Sequence, residues 1–215
     1  MKKVKSWYLP EQEEPLVKYV LKDDGYQAAE RSNALRFVKH KGVALDVGAH
    51  VGLWARDLCQ QFHAVICFEP IPEHFECLEN NLRGYTNYKL FNSALSDKDA
   101  VLHFKVDPKG TGGTCVTKEP ALSQYQAITL DSLNIEAIDF IKLDCEGWEE
   151  FVLKGGMKTI LKTKPIINVE QRERKKGSAY VGADTKPYGA VKLLESWGAV
   201  LLSRFKAEYV FGWNE

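Results

Sequence analysis

The sequence predicts an α/β fold, a mostly parallel sheet with helices on both faces. Three observations support this. Short apolar runs rich in branched and aromatic residues recur along the 215-residue chain, as in strands covered on both sides. Stretches of helical periodicity lie between them. A glycine turn directly follows the first clear run and leads into a helix.

Taken in chain order, Ala28 to Val38 reads as a helix with Ala34, Leu35 and Val38 inward. It closes an N-terminal helical segment, residues 1–40, ahead of a core over 41–215, the whole read as one domain. Val43–Val47 is the first strand, Trp54 and Leu58 begin a helix, and Ala64–Phe68 is the second strand. Pro72 then opens a helix whose Phe75, Leu78 and Leu82 share a face. From Val101 to Leu130 apolar residues alternate around Gly110-Thr111-Gly112-Gly113, which predicts a β-hairpin excursion. Phe140–Leu143 and Ile166–Val169 are further buried strands. Gln171 to Pro187 reads as a long polar loop whose Arg172, Arg174, Lys175 and Lys176 make it a candidate lid or phosphate clamp. Ala190 to Trp197 is a helix stopped by Gly198, and Val200–Arg204 with Glu208–Trp213 form a closing hairpin.

Composition narrows the function. Hydrophobic residues at 45% and charged residues at 27% suit a soluble globular protein. Lys plus Arg equal Asp plus Glu at 29 each, which argues against a binder of long nucleic-acid backbone. The five cysteines (Cys59, Cys67, Cys77, Cys115, Cys145) are odd in number and lack a CxxC pair. Free thiols in a reducing cytoplasm are expected, rather than disulfides or a zinc ribbon. The charged first fifteen residues do not resemble a secretory leader. No apolar run approaches the roughly 20 residues of a membrane span.

The first candidate site is Asp46-Val47-Gly48-Ala49-His50-Val51-Gly52. A glycine at a strand end allows a sharp turn and close approach of a ligand. The next strand ends in Glu69-Pro70, an acid 23 positions after Asp46 that can accept bonds from ribose hydroxyls. Together these features signal an adenosine-containing cofactor. The third glycine of a dinucleotide turn is missing, and an acid at position 46 would repel a pyrophosphate. It suits the positive groups of S-adenosylmethionine.

At this point the sequence resembles the FkbM-type family of class I S-adenosylmethionine-dependent methyltransferases. The resemblance rests on Leu45 to Gly52, Phe68-Glu69-Pro70, Asn92 to Asp97, Thr129 to Leu133 and Ile141 to Glu149, in that order, within about Val43 to Glu170. It implies a Rossmann-like, doubly wound, seven-stranded sheet with the last strand inserted antiparallel. It places Asp46, Gly48 and Gly52, with Ala49 and His50 between, around the methionine part of the cofactor. Glu69, followed by Pro70, falls on the ribose, and Ser93 with Ala94 near the adenine. Where the family often has Asn after the Gly-Ala pair, this chain has His50. Tyr26 and Gln27 are placed to close over the cofactor.

A second site lies at the end of a central strand, where Asp144 and Glu146 follow Phe140–Leu143 and Glu170 ends the neighbouring strand. One carboxylate could take the proton of a substrate hydroxyl. Two could bind a divalent cation, but no ligand spacing or histidine pattern favours it, so no metal ligand is assigned. The competing account has Asp144 capping a helix and Glu146 paired with Lys142 or with a basic residue of the loop. The resemblance favours O-methylation of a hydroxyl on a small molecule, sugar or glycan, with Asp144 and Glu146 catalytic. The alternatives are a nucleic-acid or protein methyltransferase and a non-catalytic cofactor-binding module. Base amino methylation normally uses an Asp/Asn-Pro-Pro-aromatic tetrad, absent at Asp144-Cys145-Glu146-Gly147. No nucleic-acid or membrane partner is expected. Trp7, Tyr8 and Leu9 read as either a dimer contact or packing on the sheet.

Overall fold

The computed structural model describes residues 1–22, 25–106, 114–117, 121–171 and 188–214. The chain opens with β1 (Lys2–Val4), β2 (Trp7–Leu9), α1 (Pro15–Lys22) and α2 (Ala28–Leu35). Then come β3 (Val43–Val47), α3 (Ala55–Gln61), β4 (Ala64–Phe68), α4 (Pro72–Leu82) and β5 (Tyr88–Phe91). An excursion follows, made of β6 (Ala94–Leu95), β7 (Ala100–Lys105), β8 (Cys115–Thr117) and β9 (Ser123–Ile128). The chain finishes with β10 (Phe140–Leu143), α5 (Glu149–Gly155), α6 (Met157–Thr163), β11 (Ile166–Glu170), α7 (Gly189–Ser196), β12 (Ala199–Phe205) and β13 (Glu208–Trp213).

The main sheet has seven strands in the order β12-β13-β11-β10-β3-β4-β5. Neighbours from β11 to β5 run parallel, while β13 is antiparallel to both β11 and β12, as expected of an inserted last strand. Alternation along each strand sends one residue to either face. Ala44, Val65, Cys67 and Phe140 pack with Ala34, Leu58, Leu78 and Leu82 from α2, α3 and α4. Leu45, Ile141, Leu143 and Val169 pack with Val152, Leu153, Ile160 and Leu194 from α5, α6 and α7. The chain moves outward in opposite directions from β3 and β10, so their carboxyl ends flank the topological switch point, where ligands bind in such sheets.

Two parts differ from the sequence reading. The excursion is a four-stranded sheet, β6-β9-β7-β8, rather than a lone hairpin, because two-residue β6 adds a parallel strand to β9. Its apolar face joins Phe104, Val116 and Ala127, with Trp148 packed against them. The turn at Gly110–Gly113 and the basic cluster from Arg172 to Lys176 lie outside the described residues. The segment before residue 40 is not all helical, since it starts with the β1–β2 hairpin. Asn81 of α4 pins that hairpin. Its Oδ1 accepts the Tyr8 N–H at 2.7 Å, and its Nδ2 donates to the carbonyls of Tyr8 and Val51 at 2.8 Å each. Leu9 is buried with Leu16, Val20 and Val51, and Trp7 packs against this cluster. Glu13 accepts the Leu16 N–H at 3.0 Å and caps α1, which starts at Pro15. None of the five cysteines forms a disulfide among the described residues. No helix among the described residues is long and apolar enough to cross a membrane.

Candidate active site

The turn after β3 is shaped by positive φ at Gly48 (75°), His50 (52°) and Gly52 (89°). A Cβ on Gly48 would stand 2.0 Å from the Asp144 carbonyl oxygen, so only glycine lets the turn lie against the loop after β10. The N–H groups of Gly48 and Ala49 both donate to the Phe68 carbonyl, at 3.1 and 3.0 Å. A Cβ on Gly52 would meet Leu78 Cδ1 at 2.8 Å. That glycine packs the turn on α4.

Glu69, at the end of β4, is buried and tied at both oxygens. Oε2 accepts the His50 N–H at 2.8 Å, and Oε1 accepts the Ile71 N–H at 3.0 Å. His74 Nδ1 lies 3.4 Å from Oε1, and its ring meets that of His50 edge-on, centroids 4.3 Å apart. Burial, reinforced by His74, drives the His50 imidazole well below its ordinary pKa and keeps it neutral.

Asp46 has no exposed surface and lies behind the wall of the site. The alternation that turns Ala44 toward α3 turns Asp46 the same way. Its charge faces Lys142, whose Nζ is 3.3 Å from Asp46 Oδ1, 3.9 Å from Asp144 Oδ2 and donates to the Gly48 carbonyl at 2.7 Å. Burial pushes the Asp46 pKa up and Lys142 opposes it. Burial alone would favour a neutral Lys142 amine, but Asp46 and Asp144 overcome it and raise the ammonium pKa. Lys142 thus joins the cofactor turn to the carboxylate loop and does not pair with Glu146. Its signal in the sequence is a lysine inside the apolar run Phe140-Ile141-Lys142-Leu143.

The loop after β10 reverses through positive φ at Glu146 (49°) and Gly147 (97°). Glu149, buried at the start of α5, caps it by accepting the N–H groups of Cys145 at 2.9 Å and Gly147 at 3.0 Å. Burial still raises the Glu149 pKa against those bonds. Glu149 does the capping, and Asp144 and Glu146 line the cavity wall. Asp144, Glu146 and Glu170 each bring an oxygen within 4.8 Å of the others. That spacing could hold a cation, but a proton or a basic side chain would serve the same carboxylates. Glu208, paired with Glu170 across the β11–β13 ladder, accepts from Asn168 Nδ2 at 2.8 Å. Burial pushes its carboxyl up to about 7.

These pieces surround one cavity of about 430 Å³. Of the predicted cofactor residues, Tyr26, Gly48, Ala49 and His50 line it, as do Glu69, Pro70 and Ala94. Asp144 and Glu146 line the same cavity. Asp46, Gly52 and Ser93 do not, and Glu170 stands behind the two loop carboxylates. Ser93 is buried beside Ala94, which forms the wall there, and its hydroxyl has no hydrogen-bond partner among the described residues. Burial, then the charge of Asp144, raises the Tyr26 phenol pKa and keeps it neutral. Sequence reasoning missed His74 and the outer wall of Leu16, Tyr19, Phe104 and Val116. His74 occupies the stripe of Leu78 and Leu82, four and eight residues on, where an apolar residue is expected.

The methyltransferase FkbM domain matches residues 46–185. The 2-O-methyltransferase NoeI of Sinorhizobium fredii (strain NBRC 101917 / NGR234) is 28% identical over 149 residues, 58% of this chain and 61% of that protein. The chain therefore spans less than two thirds of this curated relative's length. Among solved structures, methyltransferase FkbM from Methylobacillus flagellatus KT has a TM-score of 0.57 at 19% identity, over 91% of this chain and 52% of that one. A precorrin-6y C5,15-methyltransferase from Geobacter metallireducens GS-15 has a TM-score of 0.51 at 16% identity, over 90% and 92%. At these identities the two structures show the fold they share with this chain.

Proposed function

The chain belongs to the methyltransferase FkbM domain family, and on that premise we propose that it is an S-adenosylmethionine-dependent methyltransferase acting on a hydroxyl oxygen of a small molecule, sugar or glycan. The observation that carries the proposal is one cavity at the switch point that is lined both by Glu69 and by Asp144 and Glu146. An acid for ribose and carboxylates for an acceptor thus share one cavity.

The residues present suit S-adenosylmethionine. Gly48 and Ala49 line the cavity, Glu69 keeps acceptor capacity beyond its two amide bonds, and the Ser93 hydroxyl, without a partner among the described residues, lies beside Ala94. Glu69 would hold the ribose, Gly48 and Ala49 the methionine part, and Ala94 the adenine. When bound, the cofactor supplies a methyl carbon made electrophilic by its sulfonium. The protein's own task is alignment and proton transfer. An Asp144 or Glu146 carboxylate oxygen accepts the acceptor's hydroxyl proton, while Tyr26 and Trp148 exclude water. The same carboxylates disfavour an anionic acceptor. An oxygen acceptor is supported by the relative described as a 2-O-methyltransferase. No step calls for a metal or a nucleic acid.

Calorimetry with S-adenosylhomocysteine and NAD, followed by transfer of labelled methyl to a panel of sugars and hydroxylated small molecules, tests the reading. Selective binding of S-adenosylhomocysteine and an alkali-stable labelled ether are expected. Binding no tighter than NAD would overturn it.

A further inference from the structure

We infer that His74 positions Glu69 for ribose recognition, so that selectivity for a hydroxylated ribose depends on His74 as well as on the carboxylate itself. The inference rests on the cofactor reading above.

Glu69 must aim its remaining lone pairs into the cavity while two backbone amides hold it from the protein side, His50 at 2.8 Å and Ile71 at 3.0 Å. Both belong to turns, one at left-handed His50 and one at the start of α4. His74 supplies a side-chain hold. Its Nδ1 is 3.4 Å from the same oxygen that Ile71 contacts, and its ring braces that of His50 at 4.3 Å. A buried polar ring in an apolar stripe is costly unless it is partnered, and the partner here is Glu69. All three side chains reach the cavity. His74 thus touches both the acid and the residue whose amide fixes that acid, and its loss leaves the carboxylate held by the two backbone amides alone.

The test measures affinity for S-adenosylhomocysteine and for its 2′-deoxy and 3′-deoxy analogues in the full chain. Failure of the wild-type protein to bind S-adenosylhomocysteine overturns the cofactor reading itself. With binding present, the wild type should prefer the hydroxylated ligand roughly tenfold or more, the worth of one hydrogen bond to a charged group. H74F, which fits the apolar stripe, should cut that preference to about threefold or less. H74Q, which keeps a donor, should restore most of it. In E69Q the preference is lost, and E69Q/H74F should lose nothing more. H74L takes the place of H74F should the latter not fold. An unchanged preference in H74F, equal weakening of all three ligands, or additive losses in the double variant would overturn the inference.

Discussion

Glu208→Gln should stabilise the protein at neutral and higher pH and leave it nearly unchanged below pH 4.5. Glu208 is only 4% exposed, and burial, with the charge of Asp144 next in weight, lifts its carboxyl from the usual 4.5 to about 7. A carboxyl raised in the folded state holds its proton where the unfolded chain has released it. Stability from that neutral form is complete below pH 4.5 and is lost as pH climbs through 7. Each pH unit of the difference is worth about 1.4 kcal/mol, so the 2.5 units between 4.5 and 7 amount to about 3 kcal/mol. Glutamine keeps the volume and can still accept from Asn168, so the variant lacks this loss. Other raised carboxyls, such as Asp46 and Glu149, titrate in both proteins and cancel in the difference. Urea unfolding of both proteins across this pH range is the assay. The stability gap should open from near zero to about 3 kcal/mol as pH rises. Parallel curves would refute the burial argument.

Gly48→Ala should destabilise the chain by about 2 kcal/mol or more and abolish S-adenosylhomocysteine binding, since the new Cβ meets the Asp144 carbonyl at 2.0 Å on a backbone with φ of 75°. A melting curve close to wild type would count against it. Lys142→Met should cost about 3–5 kcal/mol by leaving buried Asp46 uncompensated, and adding Asp46→Asn should recover a large part. Denaturant midpoints of the single and double variants decide the matter. Asp144→Asn and Glu146→Gln should bind S-adenosylhomocysteine normally, and the one that accepts the proton should lose about 10²–10⁴ in turnover. Wild-type turnover in both would remove the loop carboxylates from the chemistry, and a chelator should change none of these rates.

The sheet was legible because strands buried on both faces read as short, mostly apolar runs, and Val43–Val47, Ala64–Phe68 and Phe140–Leu143 match the structure to the residue. The N-terminal hairpin was not, since three-residue strands show no period and their register depends on Asn81, far along the chain. Within the site, Glu69 reaches the cavity at the end of its strand. Asp46, one residue short of the end of β3, falls on the other side of the pleat and is spent on Lys142. His74 was overlooked because periodicity marks only the stripe it occupies. What makes it unusual is Glu69, which approaches only once α4 has folded back along β4.

The contact between Gly48 and the Asp144 carbonyl also bears on how such a protein can diversify. The two loops that meet there fit like a key and its ward, so lengthening either at its root would jam the other. New acceptor preferences must then arise elsewhere on the cavity wall. There Tyr19, Phe104 and Val116 present apolar side chains from α1 and the small sheet, away from that lock. A library directed at those three positions should yield altered acceptor range with cofactor affinity intact, whereas one directed at residues 48 or 144–147 should yield mostly inactive chains.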